Sequence, residues 1–435
     1  MEGWVSGQGA TVGDAGVAGG GRAEATATGP GGGASRPQGG LQVAGAGAGA
    51  AGGAGPAGGA APVDWGALRA LDRSGMLAVV AAFPHQLEEA YRLGREAANL
   101  TNPLGRAPRA ICTAGLGGSA IGGDFVAAVL EPDAPVPLVV HRDYGLPAWV
   151  GEGDLVFAVS YSGQTEETLS AYREARRRGA AVVAIGSGGR LLEWAAADEA
   201  EGAPVRSVRV PGGLAPRAAL GYLMLPLLYL VCAWTGLPDP SPAVEEAVVV
   251  LRRQARELEP NGPEGPAQDL ARSLAGRPVY VYGAGSLGRA AAYRWQCQLN
   301  ENAKLLAHAH FFPELNHNEI MGWEGQPAVP GDGRPLLVLL RAPADHARNG
   351  ARMAITAELI GQRAGQVTVE AAGTSRLAQL LSLSYFGDFV SVYAALLRGL
   401  DPAAIASIEQ LKRRLAALPG EPGGPPEPRD EGGRA

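Results

Sequence analysis

Short apolar runs recur along this chain, each followed by a glycine- or hydroxyl-rich turn and a stretch of helical period. The first covers 110–114 and leads into Gly115-Leu-Gly-Gly-Ser119; others cover 136–141, 154–159 and 181–185, and 205–210 makes a fifth strand. Unbroken apolar runs of this length read as strands buried on both faces. Their alternation with helices predicts a parallel sheet covered on each side. Upstream, Val80, Phe83, Leu87 and Tyr91 recur at three- and four-residue spacing, the period of an amphipathic helix. Downstream, 218–234 is apolar but short for a membrane span and interrupted by Pro226, so a buried helix is expected.

A polar, Pro- and Gly-containing break at 261–268 precedes a second round of the same pattern. A strand is expected over 278–282, followed by Gly283-Ala-Gly-Ser286-Leu-Gly288 and a helix ending near Gln298. Strands at 336–340 and 366–370 flank a helix over 351–363. Helices follow over 376–398 and 402–418. The predicted fold class is α/β, with two tandem units at 63–260 and 261–418. Each would be a parallel sheet between helices, in three αβα layers. Residues 1–62 are rich in Gly and Ala, and 419–435 in Pro, Gly and Glu. Both have too few large apolar groups to offset the entropy of ordering, and are expected to be disordered.

Composition narrows the function. The net charge of −6 argues against an electrostatic nucleic-acid binder. Three cysteines (Cys112, Cys232, Cys297) lie far apart, as in a reducing compartment. With no secretory signal pattern, a cytoplasmic protein with no membrane role is expected.

Two stretches stand out chemically. Ser160-Tyr-Ser162-Gly-Gln-Thr165 sits at the carboxyl end of a predicted strand and opens a helix. Ligands bind at that edge of open α/β sheets, and a helix N-terminus suits an anion. Three hydroxyls in six residues exceed what helix capping needs, so a phosphate is favoured, with Ser119 as a fourth donor. The stretch 301–323 holds His308, His310 and His317 among carboxylates and asparagines. Glu301 is expected to follow a helix, where the negative end of the dipole favours the protonated carboxyl and suits a general base. His317 can move protons near neutral pH, oriented by Asn316, Asn318 or Glu319. The three histidines do not match a compact metal-ligand spacing. Arg217 precedes the buried helix and can stabilise an oxyanion. Both glycine turns nominally fit dinucleotide fingerprints, but neither has a clearly placed acidic residue about 20 positions on.

Together, Gly-Leu-Gly-Gly-Ser119, Ser160-Tyr-Ser-Gly-Gln-Thr-Glu-Glu-Thr168, Pro216-Arg217, Asn300-Glu-Asn-Ala-Lys304, Phe312-Pro-Glu-Leu-Asn-His-Asn-Glu-Ile320 and Gly387-Asp-Phe resemble the bifunctional phosphoglucose/phosphomannose isomerase family. That family belongs to the sugar isomerase (SIS) domain superfamily. The resemblance spans roughly 65–418. It implies two SIS domains in a homodimer acting on a hexose 6-phosphate, with no metal and no cofactor. Ser119, Ser160, Ser162 and Thr165 would hold the phosphate, with Gly118 also against substrate. Glu301 would move the proton between C1 and C2 through a cis-enediol(ate), and Arg217 would stabilise its charge. His317 and Lys412 would assist ring opening, with His317 supplied by the other subunit. The run Leu-Leu-Ala-His-Ala-His after Lys304 departs from the family's aromatic-containing run, which leaves His308 and His310 outside these roles. A non-catalytic sugar-phosphate sensor and a nicotinamide-dependent dehydrogenase remain as alternatives. An amide-transferring synthase would need a glutaminase domain that the sequence does not show.

Overall fold

Two sheets, each facing a shared layer of helices, organise the chain. The computed structural model describes residues 42–45, 63–258, 264–328 and 333–418. All of them belong to one unit, Gly39–Ala435.

In chain order, β1 (Gln42–Gly45) is followed by helices α1 (Trp65–Arg69), α2 (Met76–Ala81) and α3 (Phe83–Ala97). Then come β2 (Ile111–Ala114), α4 (Ile121–Leu130), β3 (Leu138–His141), β4 (Leu155–Val159), α5 (Glu166–Arg177), β5 (Ala181–Gly186), α6 (Gly189–Ala200), β6 (Val205–Arg209), α7 (Leu220–Thr235) and α8 (Ser241–Glu257). The second round is α9 (Pro266–Ser273), β7 (Val279–Ala284), α10 (Gly285–Ala303), β8 (Ala307–Phe312), α11 (Ile320–Glu324), β9 (Leu336–Arg341), α12 (Ala347–Ile360), β10 (Gly365–Glu370), α13 (Arg376–Leu397) and α14 (Ala406–Leu415).

The first sheet has the order β3-β2-β4-β5-β6 and is parallel throughout. The second has the order β1-β10-β9-β7-β8; only β1 is antiparallel. Strand alternation divides each sheet between two cores. Leu155, Phe157 and Val159 of β4 face the central helices, whereas Val156 and Ala158 face Leu169 and Tyr172 of α5 and Leu191 of α6. In β9, Leu336, Val338 and Leu340 face the centre, and Leu337 and Leu339 face Met353 and Ile360 of α12. The central layer, including α3, α4, α7, α10 and α13, forms one continuous apolar core.

Gly387 explains the closeness of α10 to α13: a Cβ there would lie 2.4 Å from the Trp295 ring. Apolar helix α13 is long enough to cross a membrane, but 94% of its most apolar window is buried within the chain. Helix α7 is buried as expected, with Pro226 in its interior.

Three expectations need correction. Gln42–Gly45, expected to be disordered, pairs in register with Glu370–Val367 and makes the second sheet mixed. The other stretches expected to be disordered, 1–41, 46–62 and 419–435, lie outside the described residues. Helix α10 continues to Ala303 rather than ending near Gln298. The last helix starts at Ala406, because Asp401 and Pro402 form a separate turn.

Candidate active site

The hydroxyl loop lies where β4 ends. Ser160 has no exposed surface, and its Oγ shares a 2.9 Å hydrogen bond with Thr165 Oγ1. Thr165 immediately precedes α5, yet its side chain makes no capping bond. Exposed Ser162 accepts the Gln164 N–H at 3.3 Å. Ser119 Oγ accepts the Tyr161 N–H at 3.0 Å, which ties the first glycine turn to this loop. Helix capping therefore does not account for these hydroxyls. They cluster beside the unpaired N–H groups that open α5, an arrangement suited to an anion.

Gly118 sets the distance from the first glycine turn to Arg217. A Cβ at 118 would fall 2.5 Å from the Arg217 backbone N and 2.7 Å from its Cα. Only glycine lets the two turns touch. Arg217 is 4% exposed, and each of its three nitrogens has a partner. Nε donates to Asn302 Oδ1 at 2.7 Å, Nη2 to Pro402 O at 3.0 Å, and Nη1 to Glu301 Oε2 at 3.3 Å. Burial lowers the Arg217 pKa and the Glu301 carboxylate opposes that shift. A guanidinium stays charged under such pressure.

Glu301 lies inside the last turn of α10, not after it. That turn is held from α13. Gln298 Nε2 donates to Asp388 Oδ1 at 2.8 Å, and Asn302 Nδ2 to Ser391 Oγ at 2.9 Å. Arg294 Nη2 donates to Asp388 Oδ2 at 2.6 Å and to the Arg217 carbonyl at 3.2 Å. The Arg294 and Asp388 side chains are 4% and 6% exposed. Burial raises the Asp388 pKa, with Arg294 pulling it down. Breaking a buried pair of this kind costs about 3–5 kcal/mol. Sequence reasoning gave none of these supporting residues a role. The available signal was Asp388, the one acidic residue in a largely apolar 22-residue helix, where a buried charge requires a partner.

Two predicted residues make no hydrogen bond or ion pair with Glu301 among the described residues. His317 is exposed at the end of a short turn, Glu314–His317. Its expected orienting neighbours have other partners: Asn316 donates to Thr356 Oγ1 at 2.8 Å and Asn318 to Glu314 Oε1 at 3.0 Å. Glu319 accepts from Tyr282 and lies 3.1 Å from His308 Nε2 and 3.8 Å from His310 Nε2. Lys412 is on α14, none of whose residues is buried. Among the described residues, no group of three or more His, Cys, Asp or Glu side chains has a geometry that could hold a metal ion.

The matching edge of the second sheet is chemically different. The loop after β9 reads Arg341-Ala-Pro-Ala-Asp345. Burial pushes the Asp345 carboxyl up to about 6, and its Oδ2 is buried without a partner. Ser286, at the start of α10, accepts from Arg376 Nη2 at 2.7 Å.

Comparison with known proteins places these features in a family. The family model for the bacterial phospho-glucose isomerase C-terminal SIS domain matches residues 264–415, and the SIS domain model matches 106–189. Over 347 residues the chain is 40% identical to a bifunctional phosphoglucose/phosphomannose isomerase of Caldicellulosiruptor bescii, covering 79% of this chain and 99% of that relative. A protein of the same name from Thermoplasma acidophilum is 36% identical over 307 residues, covering 70% of this chain and 89% of the relative. The C-terminal domain of glucosamine-fructose-6-phosphate aminotransferase from Francisella tularensis shares the fold, with a TM-score of 0.54 at 14% identity over 75% of this chain and 97% of that one. With its hydroxyl loop on one sheet and a buried Arg217 paired to the half-buried Glu301 under the other, the chain belongs to the bifunctional phosphoglucose/phosphomannose isomerase family.

Proposed function

We propose that this chain interconverts fructose 6-phosphate with glucose 6-phosphate and mannose 6-phosphate by proton transfer through a cis-enediol(ate). The observation that carries the reading is the buried Arg217 guanidinium, 3.3 Å from the Glu301 carboxylate and in backbone contact with the Gly118 turn. A proton α to a carbonyl is weakly acidic, so its removal needs a base and a fixed charge for the enediolate. Glu301 and Arg217 are that pair. The phosphate is held by Ser119, Ser160, Ser162 and Thr165, with Gly118 against substrate. This chemistry asks for neither a metal nor a nucleotide. His317 and Lys412 assist ring opening, and His317 reaches the site from a second copy in a homodimer. In support, His317 is exposed and, among the described residues, makes no hydrogen bond to Glu301 or Arg217. Three cysteines without a disulfide accord with a cytoplasmic enzyme.

A sensor would need the hydroxyl loop but not a buried guanidinium beside a carboxylate. The reading is tested with metal-free protein and fructose 6-phosphate, with both aldoses quantified. Glu301→Gln keeps an acceptor for Arg217 but removes the base. It is expected to lower kcat by about 10²–10⁴ with KM little changed. Turnover near that of the unmodified chain would overturn the assignment of the base.

A further inference from the structure

Lys304 is the only non-glycine residue with a left-handed backbone among those described, at φ 52°. It closes the C-terminus of α10. Lysine is disfavoured there relative to glycine, so its presence points to work done by the side chain. The ammonium lies against four carbonyls: Glu301 O at 2.9 Å, Asn302 O at 3.2 Å, and Asp401 O and Pro402 O at 3.3 Å each. The first two belong to the last turn of α10, where carbonyls carry partial negative charge and attract a cation. The other two begin the turn that leads to α14. Pro402 O also accepts from Arg217 Nη2 at 3.0 Å, so one carbonyl receives both cations. Asp401 Oδ1 secures the turn further, accepting from Ser74 Oγ at 3.1 Å and Ala403 N at 3.0 Å. Helix α14 buries none of its own residues. Its position therefore depends on how this turn is held.

We propose that Lys304 is a positioning residue that clasps the Asp401–Pro402 turn to the last turn of α10, setting Glu301 against Arg217 and fixing the root of the helix that carries Lys412. The inference rests on the roles proposed for Glu301, Arg217 and Lys412. Lys304 acts through them and does not touch the substrate.

The test uses Lys304→Gly and Lys304→Arg in the full chain. Glycine accepts the left-handed backbone, so the melting temperature is expected to hold while the ammonium is lost. For fructose 6-phosphate, kcat is expected to fall at least about tenfold with KM within about twofold, as for a misplaced catalytic group. Backbone amides of 401–415 should exchange faster with deuterated water. Lys304→Arg restores a cation and should recover most of kcat. An unchanged kcat in Lys304→Gly, or unchanged exchange over 401–415, overturns the proposal. So does a lower melting temperature with an equal loss in KM, which would mark Lys304 as a general structural support. If the unmodified chain does not isomerise fructose 6-phosphate, the functional reading fails, yet exchange over 401–415 still decides whether the clasp exists.

Discussion

Replacing Arg217 with lysine separates structural support from charge stabilisation. The guanidinium is a planar fork that reaches Asn302 Oδ1, Glu301 Oε2 and Pro402 O at once. An ammonium is a point charge on a flexible stem and cannot reproduce that fork. Directed at Glu301, it abandons the other two acceptors. Pro402 O keeps Lys304 Nζ at 3.3 Å. Asn302 Oδ1 is then stranded in a residue with no exposed surface. An unpaired buried acceptor costs about 1–3 kcal/mol, so Arg217→Lys should lose about that much in urea unfolding. The kinetic effect should be larger. Removing a preorganised donor from a developing oxyanion lowers kcat by about 10²–10³, or about 2.7–4 kcal/mol. KM should change less, because the proposed phosphate grip, Ser160, Ser162 and Thr165, belongs to the other sheet. Steady-state kinetics with fructose 6-phosphate, run beside urea titrations of the same preparations, read both quantities. A variant that loses the expected stability but keeps kcat within about threefold would refute the charge-stabilising role and leave Arg217 as scaffold.

Mixing inactive Glu301→Gln with inactive His317→Ala should restore about a quarter of normal activity, since half of randomly formed dimers would then hold one intact site of two. No recovery after co-refolding would mean that His317 serves its own chain or that no dimer forms. Gly118→Ala forces a Cβ to within 2.5 Å of the Arg217 backbone N. It should cost about 1–3 kcal/mol in urea unfolding and impair both KM and kcat; unaltered kinetics would show that the contact between the turns is dispensable. Asp345 titrates near 6 when folded against 3.8 for the ordinary group, so its contribution to stability is fully present below pH 3.8 and lost as pH rises through about 6. Asp345→Asn should therefore gain on the unmodified chain by about 1–2 kcal/mol between pH 4 and 7, allowing for partial exposure. A pH-independent difference between the urea midpoints would refute the buried-carboxyl account.

The central strands were legible because strands buried on both faces leave unbroken apolar runs, and all five residues of β4 are buried. The edge strand β1 was not. Gln-Val-Ala-Gly sits in a glycine- and alanine-rich stretch, and its pairing with β10 uses backbone groups that any sequence offers. The end of α10 was misjudged for a related reason. Asn300 and Asn302 are weak helix formers, but Asn302 is bonded to Arg217 and Ser391, and tertiary contacts override propensity.

The polar stretch 301–323 shows most clearly where local pattern stops being informative. In sequence it reads as one cluster. In the fold it is split between two faces of the second sheet. Glu301, Asn302 and Lys304 end α10 on the central side. His308 and His310 share the outer face of β8 with Phe312, where Glu319 and Tyr282 meet them. The alternation His-Ala-His is compatible with a shared face, but does not say which face. That depends on packing at long separation. Arg217 reaches Glu301 across 84 positions, Asn302 across 85 and Pro402 across 185. At such distances sequence reports only through residue type: a lone aspartate in an apolar helix, a glycine where two turns must touch, a lysine where a helix would normally end in glycine. The two sheets share one plan, but their carboxyl edges do not share a chemistry. One presents Ser160, Ser162 and Thr165, and the other presents Asp345, whose carboxylate would repel a phosphate at the corresponding place.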